Sequence, residues 1–269
     1  MWVVHKFGGT SVASAERYRN VGRIILDGAA STDRQAAVVS AMSGVTNALI
    51  ALVELAGHRD AAYAAELRKL RAKHIETVGE LMTGAKAEAL VATLEKDFDD
   101  IEDLLRAIWL LKTVPHHALD LVSGFGEIWS AQLLCGHLQE LGHATTWLDA
   151  REVLHLHPGP STLVNWEVSQ ARSDQWFSSN PEPIIVVTGF VATGADGVST
   201  TLGRNGSDFT GSIFGALLKA SQIIIWTDVD GVMSANPRLV PDAIVLDGLS
   251  YNEAMELAYF GAKVIHPST

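Results

Sequence analysis

The residues with the most evident chemistry stand at the start of the chain. Lys6-Phe7-Gly8-Gly9-Thr10-Ser11 follows a short β-prone stretch, Trp2 to His5, that reads as a buried strand. Gly8 and Gly9 carry no Cβ to keep a ligand from the backbone. Thr10 and Ser11 are good caps for a helix beginning near Ser14. A strand, a lysine, two glycines and a helix start make a cradle for an anion, with backbone N–H groups, the helix dipole and one full charge. The order is not that of a Walker loop. An ordinary strand–turn–helix reads the same residues equally well.

Further along, three more stretches place polar groups beside glycines. Met42-Ser43-Gly44-Val45-Thr46-Asn47 is a small turn after the strand Ala36 to Ala41, where open α/β sheets bind ligands. Thr46 also reads as a plain helix cap. Ser123-Gly124-Phe125-Gly126-Glu127 puts two glycines inside a helical pattern, which lowers helix stability and calls for a reason. The reason is close approach of a ligand beside Glu127, a kink, or ordinary packing. Gly203-Arg204-Asn205-Gly206-Ser207-Asp208 leads into the helix Phe209 to Lys219. There the planar fork of an arginine could grip a carboxylate or phosphate.

These groups need a scaffold, and the pattern supplies one. Buried strands over Ala36 to Ala41, Ala144 to Leu148, Pro183 to Thr188 and Ile223 to Trp226 alternate with amphipathic helices. The alternation predicts an α/β fold with a mostly parallel sheet covered on both faces. Gly194, Asp196 and Gly197 mark a hairpin. From about 59 to 112 strand signals vanish, and two long helices, broken at Thr83-Gly84, read as a helical insertion standing off the sheet. Its acidic run, Asp97, Asp99, Asp100, Glu102 and Asp103, reads as a solvated helix face rather than a metal site. Adjacent His116 and His117 do not share a helix face and make a poor metal pair. A helix from Ser250 to Tyr259 precedes Gly261-Ala262-Lys263-Val264.

The 269 residues carry a formal charge of -11, against broad binding to nucleic acid or anionic membranes, though not against a small phosphorylated ligand. No apolar run spans a bilayer and no signal segment opens the chain. The single cysteine, Cys135, fits a reducing compartment, and the expected location is the cytoplasm.

Taken together and in order, KFGGTSVA, SAMSGVTN, SGFGEIWS, LGRNGSD, IWTDVDGV, NPR and SYNEAMELAYFGAKVIHP resemble the aspartokinases, a branch of the amino acid kinase family. The resemblance covers essentially the whole chain. It implies a three-layer αβα sandwich, with residues 1–269 as the kinase domain. It also implies transfer of the ATP γ-phosphoryl to the β-carboxylate of L-aspartate, a first step towards lysine, threonine and methionine. ATP and Mg2+ are the implied cofactors, and a homo-oligomer is the implied assembly.

Residue by residue, Lys6, Phe7, Gly8 and Gly9 match the family's phosphate-contacting segment, with Lys6 on the transferring group. Thr46, Glu127 and Arg204 match its aspartate-binding positions, Arg204 for the α-carboxylate and Glu127 for the α-ammonium. Ser207 and Asp208 fall in the same substrate motif, and Asp208 joins Lys6 as a catalytic candidate. Thr227, Asp228, Met233, Arg238, Lys263 and Val264 match nucleotide-binding positions. Met233 stands where the family commonly has tyrosine, and Asn236-Pro237-Arg238 where it has Asp-Pro-Arg. Aspartokinases usually continue past the equivalent of Thr269 into a last kinase segment and regulatory ACT domains. The expectation is therefore a piece of a longer enzyme, with fusion to a second enzyme left open. A glutamate- or acetylglutamate-type kinase and an inactive binding module are the alternatives.

Overall fold

A computed structural model describes residues 1–29, 33–159, 162–203, 205–227, 230–235, 240 and 242–260. Its centre is a five-stranded sheet of β1 (Trp2–Phe7), β2 (Arg34–Val39), β3 (Thr145–Leu148), β4 (Ile184–Thr188) and β7 (Gln222–Trp226), in the order β3-β4-β2-β1-β7. Every pairing in it is parallel. All five strands therefore end at one edge, where the glycine-bearing loops gather. A two-stranded antiparallel hairpin, β5 (Val191–Thr193) and β6 (Ser199–Thr201), follows β4.

The strands are apolar on both sides because both sides are covered. Phe7, Ala37, Val39, Ile184 and Val186 share one core with α1 (Ala15–Ala29), α2 (Val45–Gly57) and α5 (Ala118–Glu140). Val4, Ala36, Val38, Ile185 and Val187 share the other with α6 (Trp166–Ser179) and α7 (Gly206–Leu217). The result is the covered parallel sheet that the alternation predicts and the αβα sandwich that the resemblance implies. A last helix, α8, spans Tyr251–Phe260.

The 59–112 segment forms α3 (Ala62–Leu81) and α4 (Gly84–Leu111), with the break at Thr83. It stands off the sheet, as the sequence suggests, and packs on the helices that cover it. Leu67, Leu94, Phe98, Ile101 and Leu105 bury themselves in the same core as α2 and α5, and Phe98 packs on Trp129 of α5 at 4.3 Å between ring centroids. The apolar stripes of both helices need a partner, and the outer face of α2 and α5 is that partner. The acidic face of α4 does meet solvent, yet Arg71 of α3 bridges to Glu95 and Asp99, and Asp97 accepts from the Trp129 indole at 3.0 Å. Among the described residues no group of His, Cys, Asp or Glu is placed to hold a metal, and no helix is long and apolar enough to cross a membrane.

Candidate active site

Strand alternation sends His5 and Phe7 to the α1 side of the sheet and Lys6 to the α7 side. The stem of Lys6 lies against Gly211 of α7, where a built Cβ would come 3.2 Å from the lysine Cβ. With no side chain there, the buried stem runs along the helix and its ammonium ion-pairs with Asp208, one turn earlier. A Cβ on Gly8 would sit 3.5 Å from that ammonium, so the first glycine of the loop and the lysine head are neighbours. Phe7 points the other way. It is fully buried and stacks on Trp226 with centroids 6.0 Å apart, so its side chain is core and only its backbone faces the loop.

Gly9 is required by packing of two loops. A Cβ on it would come 2.9 Å from the Ala41 carbonyl oxygen, and its own carbonyl accepts from the Ser43 N–H at 3.1 Å. Thr10 and Ser11 do not cap α1. They lie in a short 3-10 turn, Gly9–Val12, and it is the Ser14 hydroxyl that accepts from the Arg17 N–H. The turn folds the loop back onto the sheet edge before the helix can start.

The loop after β2 enters α2 through Gly44, at φ 81°, a left-handed conformation that glycine adopts without strain. Thr46 then sits in the first turn of α2. Together with Gly9, Ser43, Asn47 and residues of α5 and α7 it lines a cleft of about 880 Å3. Glu127 and Ser207 line the same cleft. Ser207 is buried in the first turn of α7, packed over Gly189, where a Cβ would lie 2.8 Å from the serine side chain.

Glu127 is the most unusual group of the site. It is only 3% exposed, and the Ala41 N–H donates to its carboxylate. Its Oε2 atom has no hydrogen-bond partner among the described residues. Burial pushes the carboxyl up to about 8, against the smaller opposing pull of backbone hydrogen bonds. The glycines beside it serve packing. A Cβ on Gly126 would meet Ala41 Cβ at 2.8 Å, and one on Gly124 would meet Val191 Cγ1 at 2.8 Å. They let α5 approach the end of the sheet, and that approach carries Glu127 into the cleft.

The structure thus brings Lys6, Gly8, Gly9, Thr46, Glu127, Ser207 and Asp208 to one edge of the sheet. Thr227 follows β7 at that edge, one residue past Trp226, the register partner of Phe7. Met233 is in an antiparallel bridge to Val245. Arg204, Asp228, Arg238, Lys263 and Val264 lie outside the described residues. Asp120, Ser123 and Thr201 also line the cleft and were not singled out by type. The signal was there: Asp120, Ser123 and Glu127 recur at i, i+3 and i+7 on a mostly apolar helix, which puts three polar groups on one face.

The amino acid kinase family model matches residues 1–269. A bifunctional aspartokinase/homoserine dehydrogenase of Arabidopsis thaliana is 44% identical over all of this chain and 29% of its own length. One from Escherichia coli is 35% identical over 99% of this chain and 32% of its own length. The chain thus spans about three-tenths of these relatives. Among solved structures, E. coli aspartokinase III in complex with aspartate and ADP superposes with a TM-score of 0.89 at 31% identity, over 100% of this chain and 58% of that one. A parallel sheet with this loop edge, and a family match from end to end, lead to one conclusion: the chain belongs to the amino acid kinase family.

Proposed function

We propose that this chain is the kinase part of an aspartokinase, moving the γ-phosphoryl group of ATP to the β-carboxylate of L-aspartate to give 4-phospho-L-aspartate. The observation that carries the reading is Glu127, whose buried, unpartnered carboxylate oxygen lies on the same cleft as the Gly9 loop next to Lys6. One end of the site suits an ammonium and the other a phosphate. The relatives named as aspartokinases, and the complex of one with aspartate and ADP, support the same assignment.

The chemistry asks little of the protein beyond placement. A side-chain carboxylate with an ordinary pKa of about 3.9 is already a nucleophile at neutral pH. The barrier lies in bringing two anions together and in the charge that builds between them. Lys6 would meet that charge, and Asp208 would hold Lys6 in place. Gly8 and Gly9 leave room for phosphates against the backbone. Thr46, Ser207 and Glu127 would hold aspartate, with Arg204 on its α-carboxylate. Thr227, Asp228, Met233, Arg238, Lys263 and Val264 are assigned to the nucleotide, and Phe7 contributes backbone alone. Mg2+ bound with ATP would neutralise phosphate oxygens. A homo-oligomer in the reducing cytoplasm completes the proposal.

A coupled assay of ADP release tests it. Release should depend on L-aspartate and stay at background with L-glutamate or with no acceptor. Equal release with glutamate would move the assignment to another member of the family.

A further inference from the structure

The cleft contains a corner whose hydrogen-bonding sense is set by a residue outside the roles assigned above. On the face of α5, Asp120 lies at the foot, Ser123 one turn on and Glu127 one turn further. Asp120 takes two hydroxyl hydrogens from β6: Thr200 Oγ1 donates to Oδ2 at 2.9 Å and Thr201 Oγ1 to Oδ1 at 3.3 Å. Ser123 Oγ donates to the Asp120 backbone carbonyl at 3.3 Å. A hydroxyl has one hydrogen and two lone pairs. Once Thr201 and Ser123 have given their hydrogens to Asp120, what they can offer the cleft is lone pairs. The unpartnered Oε2 of the buried Glu127, once ionised, adds another acceptor. Thr201, Ser123 and Glu127 all line the cleft; Thr200 does not.

We infer that Asp120 is a positioning residue: by fixing the Thr201 hydroxyl as an acceptor it makes this corner of the cleft selective for a free primary ammonium. An ammonium has three donors and no acceptor, so it leaves none of the acceptors it meets facing another acceptor. An N-acylated substrate has one N–H, and a des-amino analogue none. Either would leave buried acceptors unpaired, the situation in which a polar site discriminates most strongly. The inference deepens the aspartokinase reading and rests on it.

The test is binding of L-aspartate and of succinate, its des-amino analogue, to the full chain by calorimetry. Wild type should prefer aspartate. Asp120→Ala frees the Thr201 hydroxyl to turn its hydrogen into the cleft, and Thr201→Val removes it; each should cut the aspartate-to-succinate preference by about tenfold, the worth of one charge-assisted hydrogen bond. Thr200→Val loses the shorter of the two ties to Asp120 without touching the cleft, and should keep the preference. If Asp120→Ala does not fold, Thr201→Val against Thr200→Val decides alone. A preference that survives in Thr201→Val, or falls equally in Thr200→Val and Asp120→Ala, would overturn the inference and leave Asp120 as a structural tie. No binding of aspartate by wild type would overturn the aspartokinase reading, and the inference with it.

Discussion

Lys6, near the end of β1, is ion-paired with Asp208 in the first turn of α7. The pair bolts the strand that delivers the glycine loop to the helix that delivers Ser207. Both side chains are largely buried, so each depends on the other.

Lys6→Ala should abolish most turnover. A charge placed against growing transition-state charge is worth about 100- to 1000-fold in kcat, and the KM for ATP should change less. Steady-state kinetics decide between the two parameters. An effect confined to the KM for ATP would make Lys6 a binding residue only.

Glu127 should make aspartate binding release a proton. With its carboxyl pushed up to about 8, most molecules carry that proton at pH 7, whereas pairing with an ammonium requires the ionised form. Binding should therefore release most of a proton, read from calorimetry in two buffers of different ionisation enthalpy. Aspartate affinity should rise with pH until about 8. Glu127→Gln should abolish the release and weaken aspartate by roughly 1.5–3 kcal/mol. Buffer-independent heats from wild type would contradict the assignment.

His74 should set an acid limit on stability. It is fully buried between Phe98 and Trp129, its Nδ1 bonds the Leu70 carbonyl at 2.7 Å, and its Nε2 has no partner among the described residues. Burial lowers it from 6.5 to about 4. A lowered histidine binds fewer protons folded than unfolded between those values. Its stabilising effect is thus whole above 6.5 and shrinks as pH falls towards 4, by about 3 kcal/mol in all. Urea titrations at pH 7.5 and 4.5 should show a smaller drop for His74→Leu than for wild type; parallel drops would remove His74 from the account.

Two helical glycines should respond to alanine with opposite signs. In α3, a Cβ on Gly79 would meet nothing within 4 Å among the described residues, so Gly79→Ala should stabilise by roughly 0.5–1 kcal/mol through helix propensity. In α5, a Cβ on Gly126 would press on Ala41 and Val45, and overpacking of about 1–3 kcal/mol should exceed the same propensity gain. Melting temperatures settle the signs. A stabilising Gly126→Ala would mean that α5 can retreat from the sheet without loss.

The parallel sheet was legible because short apolar runs at Ala36 to Val39 and Ile184 to Thr188 alternate with helical periods, and parallel strands buried on both faces read that way. Lys6 and the glycine loops stood out as polar groups beside turns, and Glu127 as a carboxylate beside glycines in a helix. Other features depend on distance along the chain. The hairpin 62–111 was legible as helical and off the sheet, but its apolar stripes name no partner; only the fold supplies α2 and α5. The reason for Gly124 and Gly126 lies in Val191 and Ala41, far away in sequence. Thr10 and Ser11 looked like caps because local rules cannot foresee a 3-10 turn imposed by contact with Ser43. Asp120 escaped notice since its meaning lies in hydroxyls on a strand 80 residues on.

The central claim is that aspartate accepts a phosphoryl group on its β-carboxylate. Acyl phosphates react with hydroxylamine, so incubation of the protein with ATP, Mg2+, L-aspartate and hydroxylamine is the direct measurement. The account predicts aspartate β-hydroxamate formed in step with ADP, and none from Lys6→Ala. ADP release without hydroxamate, or hydroxamate from glutamate in equal yield, would contradict it.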